Sequence, residues 1–330
     1  MRVAINGMGR IGRLLFRKLV DHPQIELVAV NDIMPAENLV YLLKYDSIYG
    51  TFDKSITLEQ GHLNLPGNKK IPVLQADHPS ALPWRDMQVD VVLECSGRFT
   101  KKPLAELHLQ SGAKKVLLST TGSDDIPLKI FGFNQNGQTP GDIISPGGCM
   151  TNCSVHILYI LQAIGIRSAQ LNILHSYTSR QELVDAPHPH FRRGRAASES
   201  IIPVEIDLHL SIERLMPGLK GRVAAVSTRV PVANGAMADF SVVMNDEISA
   251  KEINNMFKKA AEQEFKGIVG YTEDPLVSLD IKGNTHSCLI DGTLTSVVGN
   301  HLKLIAWFDN EYGFTSRMVD WLEYWQSGKA

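Results

Sequence analysis

The sequence predicts an α/β protein whose amino-terminal half is a doubly wound parallel sheet, and three observations carry that prediction. A short apolar run, RVAIN at 2–6, leads into a glycine turn, Gly7-x-Gly9-x-x-Gly12, and then into a helical stretch with Ile11, Leu14, Leu15 and Leu19 on one side. A second apolar run, ELVAVND at 26–32, ends on Asp32, 20 residues after Gly12. Two further runs, VDVVLECSG at 89–97 and KKVLLST at 114–120, enclose a helical segment from Pro103 to Gln110. Short buried strands alternating with helices are the pattern of βαβ units, which make parallel sheets.

The elements follow in order. At the first turn, Gly7 permits the tight bend, Gly9 lets backbone approach a pyrophosphate, and Gly12 lets helix and strand pack closely. The amides that open the helix, with Arg10 and Ile11 among them, then face the phosphates of a dinucleotide. Asp32 ends the second strand with a carboxylate suited to the two hydroxyls of an adenine ribose and hostile to a 2′-phosphate, so NAD is expected rather than NADP. From Phe52 to Leu74, with LPGNKK at its centre, the pattern is one of antiparallel strands and turns. No repeat or low-complexity linker interrupts the chain, and the domain boundary is expected near the glycines at 147 and 148.

Composition excludes several classes. The 330 residues suffice for two domains and a buried core, and 33 Lys plus Arg against 35 Asp plus Glu leave no overall basic field for nucleic acid or an anionic membrane. No apolar run reaches the roughly 20 residues of a membrane helix, and the amino terminus lacks a signal-peptide pattern. A cytoplasmic location is expected. The four cysteines, Cys95, Cys149, Cys153 and Cys288, are too sparse for a disulfide framework and are expected as thiols.

SPGGCMTNCSVH, at 145–156, places two cysteines four apart where glycines give way to an apolar helical run. Cys149 therefore stands at a helix amino terminus, where unpaired amides and the helix dipole are expected to lower its thiol pKa. Cys153, one turn inside, reads as a small buried residue, and Cys149 as the nucleophile. Cys149, Cys153 and His156 can be drawn as a metal site, but no fourth ligand is placed, and no metal is expected. HPH at 188–190 has a proline between its histidines and no ligand geometry. A thiolate needs a base, and the pattern alone leaves 11 histidines as candidates.

NGMGRIGR, YLLKYDSIYG, GGCMTNC, LHSYTSRQ, RRGRAASESIIP, STRVP, KGIVGYTEDPLVSLD and WFDNEYGF resemble, in order and spacing, the glyceraldehyde-3-phosphate dehydrogenases and the related erythrose-4-phosphate dehydrogenases. The resemblance runs from end to end. It implies a homotetramer of two-domain subunits: a Rossmann-type NAD-binding domain over 1–148 with 313–330, and an α+β catalytic domain with a mixed sheet over 149–312, carrying a long loop from Thr178 to Ser200. It also implies oxidation of a small phosphorylated aldehyde, with Cys149 as nucleophile, His175 as base and a thioester on the sulfur. Asn310 and Ser119 correspond to cofactor contacts, and Thr178, Arg195 and Arg229 to contacts with the substrate phosphate. Arg180 replaces a Thr or Asp of relatives and adds a charged fork there. An arginine usual near the adenine is Asp77 in this chain, and a common tyrosine is Phe314.

The chain departs from the phosphorylating members where they hold the attacking phosphate. Their Ser-Cys-Thr-Thr-Asn-Cys, and the Thr-Gly after Ile-Ile-Pro, correspond to Gly148, Met150, Ile206 and Asp207, so three hydroxyls are absent and a carboxylate is added. Two like charges about 4 Å apart cost roughly 4 kcal/mol at an effective dielectric near 20, about three decades of affinity. Three hypotheses follow: oxidation of glyceraldehyde 3-phosphate with phosphate as acceptor; hydrolytic resolution of the thioester, as in the erythrose-4-phosphate relatives; or a nucleotide-binding or redox-sensing protein without turnover. Arg192, Arg193 and Arg195 form a local basic cluster that reads better as a substrate-phosphate or subunit-interface feature than as a nucleic-acid surface.

Overall fold

The computed structural model describes residues 1–136 and 141–328. They form two compact units, one of Met1–Gly148 with the carboxy-terminal stretch from Thr315, the other of Cys149–Phe314.

In chain order the first unit contains β1 (Arg2–Asn6), α1 (Arg10–Leu19), β2 (Glu26–Asn31), α2 (Ala36–Lys44), β3 (Thr57–Glu59), β4 (His62–Leu65), β5 (Lys69–Leu74), β6 (Val91–Glu94), α3 (Lys102–Gln110), β7 (Lys115–Leu118) and β8 (Ile143–Ile144). Its sheet runs β3-β4-β5-β2-β1-β6-β7-β8. From β5 to β8 every pairing is parallel, and β3, β4 and β5 are antiparallel, as the 52–74 pattern predicted. The order turns back between β1 and β6, and in doubly wound sheets that reversal opens a crevice beyond the carboxyl ends of the strands. Gly67 and Asn68 both have positive φ, which a tight hairpin turn between β4 and β5 requires. Trp84 is fully buried against Ala4, Ala29 and Val92, while Ala105, Val116, Leu118 and Ile143 form a second apolar cluster. Helix α1 buries Leu14, Leu15 and Leu19 as expected, together with Gly12 and Phe16, and of the residues expected on that side Ile11 alone is only half-buried.

The second unit contains α4 (Cys149–Leu161), β9 (Ile166–Ser176), β10 (Ile202–Glu205), α5 (Leu208–Leu215), β11 (Val223–Val230), β12 (Ala236–Met244), α6 (Ala250–Glu262), β13 (Val269–Thr272), β14 (Cys288–Val298) and β15 (His301–Phe308). Helix α7 (Tyr312–Gln326) follows, most of it within the first unit. The sheet, β10-β11-β9-β12-β15-β14-β13, is mixed: β9 with β11 and β13 with β14 are parallel, and the rest are antiparallel. Register sets His175 of β9 beside Arg229 of β11 on one side and Ala236 of β12 on the other. From Thr151 to Leu158 α4 is buried on all sides, which is why its apolar pattern shows no polar face. The α/β class, with a doubly wound sheet and a separate mixed sheet, is as expected. No helix among the described residues is long and apolar enough to cross a membrane.

Candidate active site

A cavity of about 230 Å³ lies where β1, β2 and β6 end, and Gly7, Gly9, Asp32, Ile33, Asp77 and Arg98 are on its walls. The three glycines have separate jobs. Gly7 has φ +96° and packs so closely on the Ser96 backbone that a Cβ has no room. A Cβ on Gly12 would strike the Gly7 carbonyl, whereas one on Gly9 would meet nothing within 4 Å, leaving an open approach. Gly9 is the N-cap of α1 and no side chain caps it, so the first amides are available to an anion. Asp32 is held in place by its neighbours: Oδ2 accepts from the Met8 amide at 2.5 Å and Oδ1 from the Met34 amide at 2.9 Å. Arg10 pairs with Asp46 at 2.6 Å and lies 5.8 Å from the Tyr49 ring centre. Ser119 follows β7, its amide donating to the Glu94 carbonyl at 2.9 Å. These residues fit a dinucleotide: open backbone for phosphates and a fixed carboxylate for a ribose, with Asp77 and Arg98 on the same walls.

In the second unit Cys149 is the first residue of α4, and its Sγ lies 3.7 Å from Nε2 of His175, the penultimate residue of β9. His175 Nδ1 is 2.7 Å from the Ser176 carbonyl, which can only accept, so Nδ1 carries the hydrogen and Nε2 turns its lone pair to the sulfur. Phe308 packs edge-on to the imidazole with ring centres 6.2 Å apart. Burial pushes the Cys149 thiol up to about 11, against the pull of the Arg229 charge and the Met150 and Cys149 amides. This corrects the expectation of a lowered thiol pKa: the helix terminus is where the sequence puts it, but the half-buried sulfur is desolvated by the protein around it, and desolvation outweighs the dipole. Burial and Arg229 likewise push His175 down to about 3. At neutral pH the resting pair is thus a thiol and a neutral imidazole with its acceptor nitrogen facing the sulfur.

Arg229 is buried, donates from Nη1 to the Ser176 carbonyl at 3.3 Å, and keeps Nε without a partner. Burial lowers it to about 10; the Cys149 sulfur opposes that, and Arg193 and Arg180 add to it. Thr178 Oγ1 donates to Gln181 Oε1 at 3.0 Å and accepts from the Arg180 amide at 3.3 Å, and the buried Gln181 Nε2 is unpartnered. The region therefore offers cationic and amide donors, the complement of an anionic substrate group. The sequence did not single out Arg193 as a neighbour of Arg229. The Glu182 amide donates to the Arg193 carbonyl at 3.1 Å, and this fold-back of the loop leaves no local signal. Arg195 behaves otherwise: its Nε sits 3.1 Å from both Asp185 carboxylate oxygens on the surface. Asn310 Oδ1 accepts from the Gly235 amide at 2.9 Å and from Ser176 Oγ at 3.2 Å, which fixes its amide plane.

At the positions that depart from the resemblance, a Cβ on Gly148 would meet nothing within 4 Å, and Met150 contributes its amide to Cys149. Asp207 is exposed at the N-cap of α5, without a side-chain cap hydrogen bond, and makes no ion pair among the described residues. Cys153 is fully buried and interacts with the Cys288 thiol, and burial raises its pKa well above that of a free thiol. His156 Nδ1 donates to the Asn152 carbonyl at 2.6 Å. His188 Nδ1 accepts from the His190 amide at 2.9 Å. No group of three or more potential metal ligands is present among the described residues.

Comparison with known proteins covers both units. Residues 1–102 match the family model described as the glyceraldehyde 3-phosphate dehydrogenase NAD binding domain, and residues 148–310 match that of the glyceraldehyde 3-phosphate dehydrogenase C-terminal domain. The chain is 39% identical over 330 residues to glyceraldehyde-3-phosphate dehydrogenase 1 of Bacillus cereus, covering 99% of this chain and 98% of that protein. It is 41% identical over 325 residues to glyceraldehyde-3-phosphate dehydrogenase 2 of Streptomyces avermitilis, covering 97% of each. Glyceraldehyde-3-phosphate dehydrogenase 1 of Bacillus subtilis is 39% identical over 328 residues, covering 98% of each.

Proposed function

Because the chain belongs to the glyceraldehyde-3-phosphate dehydrogenase family, we propose that it oxidises glyceraldehyde 3-phosphate with NAD through a thioester on Cys149, with inorganic phosphate as acceptor. The observation that carries this reading is the 3.7 Å approach of Cys149 Sγ to the unprotonated nitrogen of His175. His175 Nε2 takes the thiol proton as the sulfur bonds to the aldehyde carbon, and returns it to the new oxyanion to give a hemithioacetal. The same nitrogen then removes the hydroxyl proton as the carbon–hydrogen bond breaks and the C=O of the thioester forms. NAD, when bound, supplies the hydride acceptor. The Arg229 charge and the amides of Cys149 and Met150 favour the thiolate that burial alone disfavours, so charge forms on the sulfur when the carbonyl is there to receive it. Attack of phosphate on the thioester carbon releases the thiolate and gives an acyl phosphate, and the proton on His175 returns to sulfur or leaves to solvent.

Arg229, Arg180 and Thr178 are assigned to the substrate phosphate, with Arg193 added because its charge acts on Arg229. Arg195, engaged by Asp185, serves that site only after exchanging partners. Gly7, Gly9, Arg10, Ile11, Gly12, Asp32, Ser119 and Asn310 are assigned to the cofactor. A homotetramer belongs to the same proposal, supported by Phe191, Val184 and Ile201, large apolar side chains 90%, 74% and 71% exposed on the 178–201 segment, and a cytoplasmic location is proposed with it.

A second reading, hydrolysis of the thioester to the free acid, is favoured by one observation. Asp207 is exposed and without a cation, and Gly148 and Met150 offer no hydroxyl. Titrating inorganic phosphate while following NADH separates the two. The first reading expects a rate that saturates with phosphate; a rate unchanged from zero phosphate upward establishes hydrolysis instead.

Cofactor choice is a separate test. With Asp32 and Asp77 both on the cavity walls, kcat/KM for NADP is expected about 10³-fold below that for NAD, from roughly 4 kcal/mol of like-charge repulsion. Asp32→Ala is expected to narrow that ratio by roughly tenfold or more. Equal use of both cofactors by the parent protein overturns the assignment of Asp32.

A further inference from the structure

Glu94 closes β6 with its carboxylate inside the first unit, 1% exposed, and the chemistry of Cys149 makes no use of it. Four donors converge on it. Asn6 Nδ2 and His108 Nε2 lie 2.5 Å and 2.9 Å from Oε2, while Ser96 directs its amide, 2.8 Å away, and its hydroxyl to Oε1. Trp84 Nε1 donates to His108 Nδ1 at 2.9 Å, so a neutral His108 carries its hydrogen on Nε2 and donates to Glu94. Trp84 and His108 are fully buried, which fixes that orientation.

From this carboxylate two chains of hydrogen bonds reach the cofactor cavity. On one side Ser96 Oγ accepts from the Arg98 amide at 3.1 Å, and the Ser96 backbone is the surface on which Gly7 packs. On the other, Asn6 Oδ1 accepts from Asn31 Nδ2 at 2.7 Å, and the Asn31 side chain pairs with both the amide and the carbonyl of Ala76, each at 2.9 Å. Asn6, Asn31, Ala76, Ser96 and Arg98 all line the cavity. One buried carboxylate thus holds opposite walls of the crevice, the first following β6 and the second following β2 and β5. A network whose members are all satisfied is stiff, and losing one member leaves buried polar groups unpaired.

We propose that Glu94 and His108, braced by Trp84, are positioning residues that set the width of this crevice for the adenosine-diphosphate portion of the dinucleotide. The proposal rests on the reading of the cavity as the NAD site. Neither residue touches the ligand; they act through Ser96, Asn6 and Asn31.

The test is calorimetric titration of the full-length protein with NAD and, separately, with ADP-ribose, without turnover. Glu94→Gln keeps the shape but sets an amide N–H against donors, and is expected to raise both dissociation constants about tenfold or more and by the same factor. His108→Ala is expected to act in the same direction, and His108→Gln, which keeps a donor toward Glu94, to recover most of the loss. In steady state the effect falls on KM for NAD rather than on kcat, and the rate of Cys149 alkylation by iodoacetamide in the absence of NAD stays that of the parent. If Glu94→Gln does not fold, Ser96→Ala removes one donor and leaves the carboxylate in place, with a three- to tenfold weaker NAD complex expected. Variants that bind NAD and ADP-ribose as the parent does, even with a lowered melting temperature, overturn the proposal and leave the network a core feature. A parent protein that binds neither ligand overturns the cofactor reading itself.

Discussion

Cys149→Ser is expected to lower the rate of NADH formation by on the order of 10⁴-fold or more, while the dissociation constant for NAD stays within about twofold. A serine hydroxyl is far less acidic than a thiol, and the burial that already holds the Cys149 thiol at about 11 penalises an alkoxide further. No other thiol can substitute. Cys153 and Cys288 are fully buried, burial raises the Cys153 thiol, and Cys95 belongs to the first unit, where burial also raises its thiol. Stopped-flow absorbance at 340 nm with saturating aldehyde measures the first quantity and calorimetry the second. Serine turnover within tenfold of the parent removes covalent catalysis by this sulfur.

His175→Asn is expected to reduce kcat by about 10²–10⁴-fold, the range of a general acid–base group, because asparagine has no nitrogen that can accept the proton facing the sulfur. The same substitution has a signature in stability. Burial and Arg229 hold His175 at about 3 in the folded protein, whereas an unfolded histidine titrates near 6.5. Between those values the unfolded chain binds the extra proton, so stability rises with pH across the window and falls on acidification from 6.5 toward 3. The slope approaches about 1.4 kcal/mol per pH unit for a single group. The parent is therefore expected to lose more stability than His175→Asn between pH 7 and pH 5, as read from urea midpoints. Equal losses in the two proteins show that His175 is not the buried neutral group described here.

Much of the cofactor site was legible because its signals are local. A glycine turn between an apolar strand and a helix, with an acid at the end of the next strand, lies within 32 residues, and each member has a physical reason to be what it is. The approach of Cys149 to His175 was not legible in that way. Cys149 and His175 are 26 residues apart and meet because β9 carries the imidazole back past the start of α4, so the choice among 11 histidines came from the resemblance rather than from pattern. The thiol pKa was misjudged for a related reason: a helix terminus is visible in a sequence, and its desolvation is not. Glu94 had a faint signal, an acid closing the apolar run VVLE, but its partners Asn6, Trp84 and His108 lie 88, 10 and 14 residues away and are joined only by the sheet and its covering helix.

Helix α4 begins on Cys149 and runs into the interior with most of its side chains enclosed. The Cys149 sulfur is anchored by the enclosed residues that follow it, so substitutions that enlarge or shrink those side chains move Sγ as well as weakening the protein. Arg180 on the 178–200 loop and Asp207 at the entrance to α5 instead reach solvent, where a changed side chain disturbs little packing.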